Sequence, residues 1–232
     1  MFIDAHLHVT PALLPFLNNI PCIANAECPE EYHWLTLNKL PLMKISAGVH
    51  PWKAATTSWN EMESILHTCT IIGEIGLDGI WCDTDIRVQR EIFHRQLALA
   101  HRLKKPVILH TKGMEKEILH TIRRYPNRYL VHWYSCEYFL EEYMELGCWF
   151  SVGPDVSSNP HVSKLANIVP LNRLLMESDG LEGMIWGQGI PVNPPDYSKI
   201  MKQHLQTLAL LRNIPPQQLT TQMAKNLTSF IL

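Results

Sequence analysis

Short apolar runs alternate with longer amphipathic stretches along this chain. The apolar runs predict eight strands, near residues 2–7, 21–25, 44–49, 69–74, 106–110, 128–132, 147–151 and 173–177. The stretches between them have helical periodicity and predict helices near 58–67, 83–103, 114–125, 136–146, 160–168, 197–212 and 216–229. Strands that alternate with helices are typical of a parallel sheet.

Two regions depart from this alternation. Between the first three strands the segments are short and rich in proline, so we expect compressed βα units there. The segment from Gly180 to Pro195 is rich in glycine and proline and has no helix or strand pattern. Because it directly follows the last predicted strand, we expect it to be an active-site loop.

The length and composition favour a single domain over residues 1–232, and the alternation of strands and helices makes its expected fold class α/β. The chain has 232 residues, slightly fewer than the roughly 250 of a typical eight-stranded (β/α)8 TIM barrel, so we expect a slightly shortened barrel. The net charge of −2 provides no overall attraction for nucleic acid. The six cysteines have no C-x-x-C spacing and are expected to be reduced thiols of a cytoplasmic protein. No leader sequence or membrane span is expected.

Candidate chemistry begins at the first strand, where Asp4-Ala5-His6-Leu7-His8 follows the apolar start of the chain. Side chains at positions i and i+2 of a strand point to the same face. Both imidazoles, of His6 and His8, can therefore reach one ion from one strand.

Four more predicted strands each run into a residue that can bind metal. In a parallel α/β barrel, functional groups gather at the carboxyl ends of the strands. The sequence therefore predicts one metal centre built from six ligands, namely His6, His8, Glu74, His110, His132 and Asp179.

Imidazole and carboxylate ligands suit zinc, manganese or magnesium, and the sequence leaves the native metal open. Six ligands are more than one ion in an open site needs, so two divalent ions that share Glu74 are expected. A pair of ions roughly 3.5–4 Å apart can hold a bridging hydroxide and stabilise the leaving oxygen of a phosphoester. Asp179 could also accept the proton of the attacking water.

The motifs resemble those of the TatD-like metal-dependent hydrolases. The resemblance rests on five segments in the family's order, which are Asp4–His8, Gly48–Pro51, Ile72–Asp78, Lys105–His110 and Met176–Asp179. It implies a TIM barrel of the amidohydrolase superfamily that cleaves phosphodiester bonds of DNA, at ends or on single strands.

The same resemblance implies roles for individual residues. His6, His8 and Asp179 would hold one ion and His110 and His132 the second, with Glu74 as the bridge. His50, in a Gly-Val-His-Pro turn, would face the substrate as a catalytic residue. The alternative is that His50 only shapes the turn before Pro51.

Departures from the family pattern concern the expected substrate contacts. Lys112 stands where the family commonly has an arginine, so it can attract phosphate but lacks the bidentate fork of arginine. Trp133 and Tyr134 follow His132 where the family prefers Cys-Phe. Either ring could stack a base of DNA, or could instead pack under the barrel rim.

Two other functions are compatible with these departures. One is hydrolysis of a small amide, lactone or phosphoester, as in other branches of the superfamily. The other is an accessory subunit, because short TatD-like proteins occur in Qat anti-phage defence systems and this chain resembles them. Protein partners in such a complex would be supported by an exposed apolar surface near Trp34, Trp52 or Trp186.

Overall fold

Eight parallel strands, each paired with the next in sequence order, form the centre of the molecule. The structure is a computed structural model and describes residues 2–232. The predicted (β/α)8 barrel is confirmed, and each predicted strand overlaps an observed one. The strands are β1 (Asp4–Leu7), β2 (Cys22–Ala26), β3 (Met43–Ala47), β4 (Ile71–Gly76), β5 (Val107–His110), β6 (Tyr129–Val131), β7 (Trp149–Val152) and β8 (Leu174–Met176).

The strands are fully buried apart from Lys44 of β3, and α-helices follow seven of them. After β1 there is only a short 3-10 turn, Leu14–Leu17, so the first βα unit is compressed as expected. The α-helices are α1 (Pro29–Leu37), α2 (Trp59–Thr68), α3 (Ile86–Leu103), α4 (Glu115–Ile122), α5 (Leu140–Glu145), α6 (Pro160–Ile168), α7 (Gly180–Gln188), α8 (Tyr197–Leu211) and α9 (Pro216–Ile231).

Helix α1 was not predicted, because the prolines around it indicated a compressed connection. Pro29 occupies the first turn of α1, where its missing N–H leaves no hydrogen bond unmade. Glu30 and Glu31 follow in the same turn, where carboxylates interact favourably with the helix dipole. The proline thus starts a helix here rather than preventing one.

Helix α7 corrects the expectation of an irregular loop from Gly180 to Pro195. Three glycines lower the helix propensity of this segment, which is why the pattern predicted a loop. Tertiary packing accounts for two of them: a Cβ at Gly180 would lie 2.5 Å from the His8 carbonyl oxygen, and one at Gly187 would lie 2.7 Å from Pro154. Close packing against the barrel therefore outweighs the low propensity.

Backbone and side-chain hydrogen bonds connect the two ends of the sheet, at β1 and after β8. No β1–β8 ladder occurs among the described residues, but the amide of Asp179 donates to the carbonyl of His6 at 3.1 Å. The Asp4 carboxylate accepts from the Ser178 amide at 3.0 Å, the Ser178 hydroxyl at 2.5 Å and the Tyr197 hydroxyl at 2.7 Å. Burial raises the pKa of Asp4 to about 7, although these hydrogen bonds lower it.

Among residues 2–232, no helix combines the length and apolar character needed to cross a membrane.

We expect Asp4→Ala to destabilise the barrel, because it leaves three buried donors on Ser178 and Tyr197 without their acceptor. The expected loss in the free energy of unfolding is about 3 kcal/mol. Chemical denaturation at neutral pH measures it. Asp83→Ala, at an exposed position, is the matched control and should change stability by less than about 0.5 kcal/mol. Equal stability of the two variants would contradict the role of Asp4.

Candidate metal centre

All six predicted ligands meet at the carboxyl ends of the strands. His6 lies in β1 and His8 directly after Leu7, its last residue; Glu74 lies in β4, and His110 ends β5. The two others, His132 and Asp179, follow β6 and β8. Five strands therefore contribute to one cluster.

The Glu74 carboxylate lies at the centre of this cluster, and its two oxygens face different histidines. Oε2 lies 3.2 Å from His6 Nε2 and 3.3 Å from His8 Nε2. Oε1 lies 2.7 Å from His110 Nδ1 and 2.6 Å from His132 Nε2. One carboxylate thus separates the histidines into two pairs.

Asp179 joins the first of these pairs. Its Oδ1 lies 3.2 Å from His6 Nε2 and 3.6 Å from His8 Nε2. Asp179 has a positive φ of 58°, and Gly180 follows it with φ 77° at the start of α7. A Cβ at Gly180 would lie 2.5 Å from the carbonyl oxygen of His8, so glycine is required for this close approach.

A second close approach brings Glu74 beside His110. Gly76 of β4 lies against β5, where an added Cβ would be 1.9 Å from the His110 carbonyl oxygen. Only glycine permits this spacing, so Gly76 determines how near the two ligand strands lie.

His50 lies in the same cluster, almost completely buried. Its Nε2 is 3.5 Å from Glu74 Oε1 and 3.4 Å from His110 Nδ1. Its Nδ1 accepts a hydrogen bond from the Trp52 amide at 3.2 Å. In the neutral ring the proton is therefore on Nε2, which makes His50 a hydrogen-bond donor toward the centre rather than a ligand through that atom.

Two carboxylates that received no role in the sequence analysis support the ligands from outside. Asp78 Oδ2 lies 3.1 Å from His110 Nε2, and Glu177 Oε1 lies 3.7 Å from His132 Nδ1. Carboxylates in this position orient ligand histidines. The sequence could have indicated Glu177 as a member of the site, because this residue precedes the predicted ligand Asp179 by two positions.

The charges of the cluster are mutually dependent. Burial lowers the pKa of the His8 imidazole, but the hydrogen bond with Glu74 and the charge of Asp179 outweigh burial and raise it to about 10. The pKa values of His6, His110 and His132 are also raised, because facing carboxylates outweigh burial. Burial raises the pKa of Glu74, but the surrounding imidazoles hold it well below its usual range.

The side chains fit a bound cation. His6 Nε2 and Asp179 Oδ1 are buried and face each other at 3.2 Å, but neither makes a hydrogen bond of good geometry, although buried polar atoms normally have one. The possible ligand atoms of His6, His8 and Glu74 all lie within 4.8 Å of one another, which suits a single ion. Imidazole nitrogens and carboxylate oxygens are the donors that zinc and manganese prefer.

The predicted substrate contacts have different surroundings. Lys112 and Trp133 are partly exposed. Tyr134 is only 2% exposed, and its ring packs against Tyr143 and Phe150. Its hydroxyl donates to the Tyr138 carbonyl. The prediction that Tyr134 stacks a base is therefore wrong, because its ring is packed into the core.

A sequence model of the family described as TatD related DNase matches residues 22–231. The chain belongs to the TatD-related DNase family. The cluster around Glu74 agrees with the names of several relatives, which are described as metal-dependent hydrolases.

Three curated relatives show how far the sequence similarity extends. The "3'-5' RNA nuclease TATDN2" of Homo sapiens is 27% identical over 63% of this chain and 21% of its own length. The "Uncharacterized metal-dependent hydrolase YjjV" of Escherichia coli is 28% identical over 77% of this chain and 73% of its own length. The "3'-5' ssDNA/RNA exonuclease TatD" of Edwardsiella piscicida is 29% identical over 58% of this chain and 56% of its own. The matches thus span from about a fifth to about three quarters of these relatives.

Solved TatD structures share the fold. The crystal structure of YjjV from Escherichia coli superposes with a TM-score of 0.82 at 23% identity and covers 100% of this chain and 97% of its own. A TatD-family hydrolase from Entamoeba histolytica superposes with a TM-score of 0.76 at 13% identity, over 99% of this chain and 97% of its own.

We expect divalent metal to bind more tightly as the pH rises between about pH 6 and 9, with release of protons. The raised pKa values keep protons on the cluster's imidazoles up to about pH 10 at His8, and metal must displace them. Each released proton corresponds to about a tenfold change in affinity per pH unit. Calorimetry in two buffers of different ionisation enthalpy counts the protons.

His33→Gln, at an exposed position on α1, is the control for this titration and should leave the proton count unchanged. His8→Gln should lower it. Metal affinity that is independent of pH would contradict the described proton occupancy.

Proposed function

We propose that this TatD-family chain cleaves phosphodiester bonds of DNA with two divalent ions held around Glu74. The observation that carries the proposal is the division of the Glu74 oxygens, with Oε2 beside His6 and His8 and Oε1 beside His110 and His132. A carboxylate that faces two groups of ligands is suited to bridge two ions. The family description and the named nuclease relatives support phosphodiester substrates.

In this proposal His6, His8 and Asp179 hold one ion, His110 and His132 hold the other, and Glu74 contacts both. Zinc, magnesium and manganese all suit these donors. Bound divalent ions would polarise the phosphoryl oxygen and lower the pKa of water.

The chain's own residues supply the proton transfers and the hydrogen bonds. Asp179 acts as the general base, since its side chain is 23% exposed and can meet water at the mouth of the site. Although burial raises its pKa, the adjacent His6 and His8 hold it below its ordinary value, so the carboxylate is ionised at neutral pH. His50 donates through Nε2 to a phosphate oxygen, and its Trp52 hydrogen bond fixes this orientation.

The recessed position of the centre favours ends or single strands over the interior of a duplex. Of the six ligands, His8 and Asp179 have the most exposed side chains, at 33% and 23%, whereas Glu74 is 2% exposed. Substrate would therefore enter from the side of His8 and Asp179. The relatives named as RNA nucleases make RNA a necessary comparison.

The anti-phage accessory role and the cytoplasmic location stay predictions from the sequence. All six cysteines are free, in agreement with a reducing compartment. Trp52 and Trp186 are 50% and 57% exposed, but both lie in segments next to the metal centre, which favours substrate over a protein partner at this surface.

We expect chelator-treated protein to be inactive and to regain cleavage of end-labelled single-stranded DNA when Mg²⁺, Mn²⁺ or Zn²⁺ is added. Glu74→Ala should abolish cleavage, because both ligand pairs lose their shared carboxylate. Asp179→Asn should lower kcat by about 10²- to 10⁴-fold, because the base is lost. Gel separation of the labelled products gives rate and polarity, with duplex DNA and single-stranded RNA as parallel substrates.

Asp83→Asn repeats the Asp179→Asn change at an exposed site and should retain full activity. Metal analysis of each variant separates loss of ions from loss of chemistry. Stoichiometric metal without cleavage of any nucleic acid would overturn the nuclease assignment and favour a small ester or amide substrate.

A further inference from the structure

Three tryptophans form a continuous aromatic surface; the sequence analysis predicted base stacking for Trp133 but not its contact with the two others. The Trp133 and Trp186 rings lie 5.2 Å apart, and the Trp81 and Trp186 rings lie 5.7 Å apart, both edge to face. Trp81 is 48% and Trp186 57% exposed, while Trp133 is half-buried beneath them. We call these three residues the tryptophan platform.

Each ring of the platform comes from a segment that also carries part of the metal centre. Trp133 directly follows the ligand His132. The Trp81 amide donates to Asp78, whose other oxygen contacts a second ligand, His110. Trp186 lies on α7, which begins directly after Asp179. The platform therefore borders the centre.

The position of Trp133 within the platform is fixed by contacts with the barrel. Trp133 Nε1 donates to the buried Asp155 carboxylate at 2.7 Å. Gly153 leaves the space that the indole occupies, since a Cβ there would lie 2.3 Å from the ring. These contacts fix Trp133, and the Trp186 ring packs edge to face against it.

A cation lies at the edge of the platform. Lys112 Nζ is 4.2 Å from the centre of the Trp81 ring and donates to the Ser135 hydroxyl at 3.2 Å. Lys112 follows the ligand His110 by two residues, so its charge also lies close to the centre. Indole faces beside an ammonium group match a ligand that has flat rings and anionic groups at short spacing.

We propose that the tryptophan platform stacks unpaired bases of a single-stranded nucleic acid while Lys112 contacts its phosphate backbone. The inference rests on the proposed phosphodiester substrate and adds that recognition occurs through the bases. A protein partner could cover the apolar rings anywhere on the surface. Their position beside the proposed phosphodiester-cleaving centre therefore favours a nucleic acid as the ligand. Bases inside a duplex are stacked on both faces and cannot reach the platform, so the platform favours single strands.

The test compares binding of two oligonucleotides of equal length and charge, one with bases and one with abasic sites throughout. Wild-type protein in chelator binds without cleavage, and fluorescence anisotropy of an end label gives Kd. We expect the abasic strand to bind at least about tenfold more weakly. Trp186→Leu should weaken binding of the base-containing strand about tenfold and leave the abasic strand unchanged, while Trp186→Phe retains most of the affinity.

Two controls separate stacking from other effects. Trp59→Leu removes a partly exposed indole on α2, outside the platform, and should leave both affinities unchanged. Lys112→Met should weaken the binding of both strands alike. It should also reduce the slope of log Kd against log salt concentration by the equivalent of about one phosphate contact. Melting temperatures confirm that each variant is folded.

The outcomes for this inference and for the proposed function are distinct. Equal affinity for the two strands, or a Trp186→Leu protein that binds both like wild type, would overturn the platform even if DNA is cleaved. Base-dependent binding that Trp186→Leu removes would support it, even if wild-type protein with metal cleaves nothing.

Discussion

The structure depends on one buried carboxylate. Glu74 is almost fully excluded from water, and an isolated carboxylate in such a position would be very costly. The imidazoles of His132, His50, His6 and His110, from β1, β5, β6 and the turn after β3, hold its pKa low. In return, Glu74 helps to raise the pKa of His6, His110 and His132. The carboxylate and the imidazoles can therefore be buried as charged groups only when they face one another, which requires all of these strands to be in place. The barrel positions the cluster, and the cluster in turn needs the barrel.

The same strand that brings two histidines to this cluster also joins the ends of the sheet. Asp4 and His6 lie two residues apart on β1, and His8 directly follows its last residue. Asp4 accepts hydrogen bonds from Ser178, which directly precedes Asp179. Closure of the barrel and placement of the first ligand group are thus one structural event, since both depend on the contact of β1 with the residues after β8.

Much of this arrangement could be predicted from the sequence, for identifiable reasons. Strands were found because buried parallel strands are continuous apolar runs. The clustering of the six predicted ligands was found because each lies at a strand end. What escaped prediction depends on tertiary contacts. Helix α7 exists because its glycines pack against the barrel, and Trp81 and Trp186 meet only after two distant segments come together. Tyr134 was misassigned because its position beside Trp133 does not reveal which ring faces the core.

The length of helix α7 determines the distance between the metal centre and the tryptophan platform, and this distance does not depend on the identity of most residues in the helix. It carries Asp179 at its start and Trp186 in its last turn, separated by about 10 Å of helix axis. One residue more or less between them would shift the ring by about 1.5 Å and turn it by about 100° around the axis. The helix therefore sets the distance between Asp179 and the aromatic surface. Its length, more than the chemistry of its side chains, determines how far from the metal centre that surface lies.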